Sequence, residues 1–280
     1  MDPTQLLPGI LAPAAVVGVF LLIAWGLASQ ASRRNQDAPG GAAAFALGAG
    51  ALAGFVLLHG FQPKPTESWL WMVWVYPAVA ILGALEARPA LPLFARSLVR
   101  VLLIGGALWL VLGKRLWPAS GEIDFAKSGL YLGSALAVSL LWSAVLPQLG
   151  AALGASAMWL ASTAVSALLV FAGSVRLAGL AAGIAGGLGA LIVACLLRPS
   201  ARGMAGAILP AVVMLSMLAF LSLEFSHAAY PPWIFALVAS APLLGLCAPA
   251  ARPFVRLALV AVPVLVAVGW GFSTYEQSPY

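Results

Sequence analysis

Charge is what this chain has least of, and the few charges it has avoid the middle of every long apolar run. Of 280 residues, 14 are Lys or Arg and 8 are Asp or Glu. A charge at the hydrocarbon centre of a bilayer costs at least about 2.5–3.5 kcal/mol, so a chain with this gap can dissolve in lipid with little penalty. The same gap removes the groups that usually mark a proton relay, an ion pathway or a catalytic centre. Cysteine is nearly absent too. Cys195 and Cys247 lie far apart inside apolar runs, with no CxxC or Cys/His spacing, so neither a disulfide nor a metal is implied. They read as buried, inert thiols. The N-terminus, Met1-Asp2-Pro3, lacks the basic segment of a cleavable signal peptide, so the first apolar run reads as a retained transmembrane helix.

What is present is apolar. Hydrophobic residues make up 63% and charged residues 8%, with mean hydropathy +1.04. A soluble domain is nearer half apolar and a quarter charged, and no water-soluble fold hides this much apolar surface. Runs of about 20 apolar residues predict helices, because barrel strands are shorter and alternate. The fold expected is all-α: a polytopic transmembrane helix bundle of about ten spans, with a range of about eight to ten. They fall at Pro8–Ala28, Gly41–Leu58, Trp69–Leu85, Leu93–Leu112, Gly129–Leu146, Ala151–Gly173, Leu177–Leu197, Met204–Leu223, Trp233–Ala248 and Pro253–Phe272. The third and ninth are short, and one of them would suit a re-entrant segment. The longest non-apolar stretch, Lys114–Ser128, leaves no room for a soluble domain, so residues 1–280 form a single integral membrane domain.

Net charge is +6. The basic residues sit in short turns beside apolar segments, and no basic patch interleaved with aromatics points to nucleic acid. The turns after helices 1, 3, 5, 7 and 9 hold Arg33, Arg34, Arg88, Arg96, Arg100, Arg198, Arg202, Arg252 and Arg256, nine of the fourteen basic residues. The opposite rim holds Lys64, Lys114, Arg115, Lys127 and Arg176, with Asp2, Glu67, Glu122, Asp124, Glu224 and Glu276, six of the eight acids. By the positive-inside rule the arginine rim faces the cytoplasm of a cell membrane and both termini lie outside. Lys114 and Arg115 run against that bias.

The order of features also suggests a parallel four-helix repeat, with units 8–113 and 177–273 around two intervening helices at 129–173. Each unit has an apolar helix, an Arg-bearing turn, a second helix and an outer loop carrying histidine, proline and an aromatic. A short helix with Pro77 or Pro242 follows. The last helix opens with Phe94-Ala95-Arg96 or Phe254-Val255-Arg256. Aligning these triplets, or the pairs Arg96/Arg100 and Arg252/Arg256, gives registers four residues apart, so the repeat is soft. Parallel repeats occur in some transporters.

Three sets of residues are candidates for function. His59, Glu67, Glu224 and His227 lie in the two outer loops beside Trp69, Tyr230 and Trp233. Two imidazoles and two carboxylates suit a polar or divalent-metal site, although their spacing is not a metal motif and no metal or cofactor follows from it. The alternative is an interfacial aromatic belt. Ser139 and Ser143 share a face of helix 5, and Ser156, Thr163 and Ser166 a face of helix 6. They would line a path for a neutral polar substrate or else bond between helices. Gly179, Gly183 and Gly187 recur every four residues on helix 7, the mark of close helix packing within or between chains. The Gly-rich run through Gly189 follows no strand and is not a nucleotide loop.

No HExxH, GxSxG or pair of aspartates at depth is present, so an enzyme is not expected. The leading expectation is a non-catalytic membrane subunit or scaffold, partnered by the lipid bilayer and by other membrane proteins or copies of itself. The competing one is a permease for a neutral or lipophilic small molecule without ion coupling. The charge bias makes one prediction. A reporter enzyme active only outside the cytoplasm, fused after Tyr280, is expected to be active, and a cytoplasm-only fluorescent reporter there is expected to be dark; the reverse pattern inverts the topology.

Overall fold

The computed structural model describes residues 3–31, 40–117, 121, 123–197, 201–225 and 230–276. Asp2, Arg33, Arg34, Glu122, Arg198 and His227 lie outside them. The described residues are helical and contain no strand. The helices are α1 (Pro3–Ala31), α2 (Gly40–His59), α3 (Met72–Glu86, preceded by a 3-10 turn at Ser68–Trp71), α4 (Leu93–Leu116), α5 (Phe125–Leu149) and α6 (Ala151–Phe171). There follow α7 (Val175–Leu197), α8 (Ala201–Gly206), α9 (Ile208–Phe225), α10 (Trp233–Leu244) and α11 (Pro253–Glu276). Helices are the only open-ended structure that satisfies every backbone N–H and C=O within one segment of lipid-buried chain.

Among the described residues eight helices are long and apolar enough to cross a membrane, with shorter apolar helices at Ile10–Ala24 and Trp233–Leu244. The protein is membrane-embedded. Large apolar side chains point outward all round the bundle, among them Leu22 (63% exposed), Trp109 (65%), Leu196 (66%) and Leu265 (67%). Such a continuous exposed apolar surface belongs in lipid. The outer helices are thus apolar on both their inner and their outer faces.

Contacts at the helix ends show that successive spans run antiparallel between two rims. At the arginine rim, Arg256 Nε donates to Gly245 O at 2.9 Å, joining the start of α11 to the end of α10. At the other rim, Arg115 at the end of α4 meets Glu224 at the end of α9. The short α10 is held at both ends: Trp233 packs edge-on against Trp270 of α11 with centroids 5.3 Å apart, and Gly245 takes the bond from Arg256. Its first residue thus lies beside the end of α11 and its last turn beside the start of α11. Ser68–Glu86 forms a continuous 19-residue crossing. Backbone-special residues shape two joints. Pro210 stands in the first turn of α9, where its missing N–H divides α8 from α9. Gly150 alone links α5 to α6, at φ 89°, which L side chains rarely adopt.

The core centres on α9, which touches α2 through α8. Every residue from Ile208 to Ser222 is buried except Ser216. Beside it, α1, α2, α3 and α7 approach closely through small residues. A Cβ at Gly48 of α2 would lie 2.7 Å from the Ala80 amide nitrogen and 2.8 Å from the Tyr76 carbonyl oxygen of α3. One at Gly186 of α7 would lie 2.5 Å from the Ile10 carbonyl oxygen of α1. The glycine stripe of α7 faces the same neighbours. Gly179 and Gly183 border a gap of only about 10 Å³ with Pro13, Ala51 and Gly54, and a Cβ at Gly187 would meet Leu47 at 3.0 Å. Cys195 is buried in α7; Cys247, expected to be buried, is exposed because α10 ends before it.

These contacts set up a comparison of two glycines. Gly48→Leu would drive side-chain atoms into the α3 backbone, and overpacking of this kind costs about 1–3 kcal/mol or more. Gly105 of α4 has nothing within 4 Å of a Cβ, so Gly105→Leu is expected to change stability by less than about 0.5 kcal/mol. Thermal unfolding in one detergent checks both, and equal effects would contradict the packing.

Candidate functional site

The acidic rim carries two polar clusters, on either side of α9. The first forms around Trp69. The 3-10 turn at Ser68–Trp71 sets the indole against the end of α2, where the His59 ring meets it edge-on at 4.8 Å and Phe55 at 5.3 Å. Trp69 Nε1 donates to a Glu67 carboxylate oxygen. Arg176, in the first turn of α7, lies 5.7 Å above the indole and 3.9 Å from Glu67. Arg176 and Glu67 are largely exposed, so their attraction is weak and screened. Thr66, Glu67, Ser174, Arg176, Leu221 and Phe225 border an open cleft of about 620 Å³ here. His59 Nε2 is buried without a hydrogen-bond partner among the described residues.

The second cluster forms around Glu224. Asp124 Oδ1 accepts from the Lys127 backbone N–H at 2.8 Å and so caps the start of α5. This fixes Lys127 and Tyr131, four residues apart, on one helix face. Both reach the same carboxylate oxygen: Lys127 Nζ lies 2.7 Å from Glu224 Oε1, and Tyr131 Oη donates to it at 2.6 Å. Arg115 Nε approaches Oε2 at 3.4 Å. Four residues before Glu224, Phe220 stacks on the Tyr131 ring with centroids 4.4 Å apart and planes 12° from parallel. A two-residue face of α5 thus locks onto a two-residue face of α9. The Glu224 side chain is 2% exposed, whereas Lys127 and Arg115 are 42% and 62% exposed. These pairings account for cations on the rim the charge bias assigns to acids.

Of the four outer-loop residues singled out from sequence, the structure joins His59 and Glu67 through Trp69. It sets Glu224 in the other cluster, and His227 lies outside the described residues. Among the described residues no three His, Cys, Asp or Glu side chains come together as metal ligands. At the arginine rim, Arg100 forms an ion pair with Glu86 at 2.7 Å, which joins α4 to α3. Arg96 Nη2 donates to the carbonyls of Arg88 and Pro89 at 3.0 and 2.9 Å.

Directly beneath the Glu224 cluster lies a cavity of about 320 Å³ between α5, α6, α9 and α10. Its walls include Tyr131, Val138, Trp142, Val165, Ser216 and Phe235. Ser216 is the one unburied residue of the α9 core because it faces this space. Trp142 Nε1 donates to Ala239 O at 2.7 Å, tying α5 to α10 at the inner end.

The helix 5 and 6 hydroxyls are placed elsewhere. Ser166 donates to Ala178 O of α7 at 2.9 Å, and Ser162, not singled out from sequence, donates to Ala181 O at 2.9 Å. Both bonds join α6 to α7. Ser156 and Thr163 bond within α6, to Ala152 O and Trp159 O. Ser143 is half-buried. Ser139 is fully buried in α5, its hydroxyl without a partner among the described residues. The hydroxyls on the cavity wall are instead those of Tyr131, Ser134 and Ser216. An acid ending a long apolar run calls for a counter-ion, which was the sequence signal for the Glu224 cluster. Nothing in the sequence signalled the cavity, whose volume depends on how four helices fit together.

No protein-family model matches this chain, and neither a curated protein nor a solved structure matches it. The site therefore rests on its own geometry. A double-mutant cycle of Glu224→Gln and Lys127→Gln is expected to return a coupling of about 1 kcal/mol, and the cycle of Glu67→Gln and Arg176→Gln one near zero. Unfolding of the single and double variants in one detergent measures both, and the opposite ranking would count against the contrast in burial.

Proposed function

We propose that the chain is a non-catalytic integral membrane protein that takes a lipophilic small molecule into the cavity between α5, α6, α9 and α10. In this reading it acts as a permease without ion coupling. The cavity carries the reading. Its 320 Å³ is at the lower end of the range for small-molecule sites, and its lining is apolar with a few hydroxyls and indoles. The walls present no charged side chain, which suits an apolar body moving within the bilayer. We place the protein in a cell membrane, with the arginine rim toward the cytoplasm and both termini outside, on the strength of the charge bias.

A second reading, a membrane subunit or scaffold, draws on a different feature. An open apolar groove of about 630 Å³ runs between α6, α7 and α11, bordered by Ser156, Trp159, Gly189, Ile192, Phe254 and Leu257. A groove with a glycine and two aromatics on its walls suits a helix from another chain.

Native mass spectrometry of the protein purified in mild detergent separates the two. The permease reading expects an organic adduct of one molecule per chain and no second polypeptide. A stoichiometric partner protein without such an adduct would establish the subunit reading instead.

A further inference from the structure

The proposed permease reading leaves its substrate undefined, and the shape of the cavity narrows it. The lining runs from Leu130 to Trp142 on α5 and from Leu223 to Val212 on α9. At 1.5 Å per residue these are lengths of about 18 Å and 17 Å. The hydrocarbon core of a bilayer is about 30 Å thick, so the cavity is about one leaflet deep. Leu130, Leu223, Pro232 and Trp233 edge its outer end, and the Trp142–Ala239 bond ties the helices at its inner end. A slot this long with a volume of only 320 Å³ is narrow. It has room for an alkyl chain lying along the membrane normal, with its outer side open beside Leu130 and Ala236.

Charge is arranged at one end of this slot. Tyr131 belongs both to the cavity wall and to the Glu224 cluster. Among the described residues around Glu224 the donors outnumber the acceptors. Its carboxylate is 2% exposed and already takes three bonds, from Lys127, Tyr131 and Arg115. The Lys127 ammonium has three N–H donors and the Arg115 guanidinium five. Among the described residues, one contact to Glu224 on each, the second a long 3.4 Å, leaves most of these donors open. Asp124, the carboxylate next to this group, is turned to cap α5. An open set of cationic donors favours an acceptor-rich anionic group, most strongly one that Arg grips through two oxygens.

We infer that the cavity binds a single-chain amphiphile with an anionic headgroup. Its chain lies between α5, α6, α9 and α10, and its headgroup sits against Lys127 and Arg115 at the acidic rim. This rests on the permease reading and names its substrate class. Glu224 serves as the fixed counter-charge. It holds Lys127 and Tyr131 in place and keeps the cations from being an uncompensated pair when the site is empty.

The test uses the full chain in nanodiscs of a zwitterionic two-chain lipid. The probe is dodecyl phosphate carrying a diazirine at the chain end. After photolysis, label is expected on the inner part of the cavity wall, at Val138, Trp142, Val212 or Ala239. Unlabelled dodecyl phosphate should compete at least ten-fold better than dodecanol or dodecyl trimethylammonium. Ser216→Phe, which fills the cavity, should cut labelling at least ten-fold. Ala236→Leu, at an exposed cavity-lining position that tolerates bulk, should cut it severalfold and guards against a misfolded first variant. The double variant Lys127→Gln, Arg115→Gln should reduce competition by dodecyl phosphate to the level of dodecanol. Equal competition by all three headgroups, with label still in the cavity, would overturn the anionic headgroup while leaving the permease reading intact. Label scattered over lipid-facing residues such as Leu265 and Val266, unchanged by Ser216→Phe, would overturn both.

Discussion

Lipid tails are as apolar as the helices they surround, so this bundle gains nothing from merely hiding leucine. What holds it is close approach of one helix backbone to another, and close approach depends on the absence of side chains at a few points. Gly48 lets the backbone of α2 reach that of α3, and Gly186 brings α7 against the Ile10 carbonyl of α1. Dispersion grows steeply as atoms meet at contact distance, so each such point stabilises many pairs around it. The hydrogen bonds from Ser162 and Ser166 to carbonyls of α7 then fix α6 on the far side of the same helix. With α1, α2, α3, α6 and α7 joined this way, α9 has a firm wall to pack against.

The other side of α9 is built differently. Larger residues on α5 and α10, among them Tyr131, Trp142, Trp233 and Phe235, stand the helices apart and leave a narrow space. Polar contacts at its two ends take over the work that glycines do elsewhere: the Glu224 cluster at the rim and the Trp142–Ala239 bond at depth. Rigid walls on one side and end-pinned helices on the other are what a binding space needs. A uniformly glycine-packed bundle would have no room, and an unpinned one would collapse around its own side chains.

Much of the fold was legible in the sequence because the governing signal is coarse. Apolar runs bounded by Arg, Pro and Gly mark spans whether or not neighbouring helices are known, and the observed helices fall on the ten runs, α8 and α9 together on the eighth. The break at Pro210 and the single-residue link at Gly150 follow from backbone rules. The site was less legible. Rim residues were grouped by their presence in loops on one face, yet a face many helices wide holds more than one cluster. Glu224 is one helical turn above Phe220, and that spacing with Lys127 and Tyr131 on α5 decides its partners; loop membership does not. Of the hydroxyls singled out on α6, Ser166 does bond between helices, and its partner, like that of Ser162, is a carbonyl of α7, because a buried hydroxyl takes whichever carbonyl lies within reach. Cavities arise from mismatched side-chain volumes across four helices, and no single helix records them.

The length of α10 has a consequence for the membrane itself. Its 12 residues cover about 18 Å, against a hydrocarbon thickness of about 30 Å, although its first residue lies beside the end of α11 and its last turn beside the start. The shortfall ends near Gly245, where the Arg256 guanidinium reaches from the first turn of α11 to a carbonyl oxygen that no longer has a helical partner. A helix shorter than the hydrocarbon is met either by thinning of the bilayer or by flanking side chains that snorkel to the interface. Because α10 also forms a wall of the cavity, a thicker or stiffer bilayer would strain that same wall. Any such strain enters through a helix that is too short to match its surroundings.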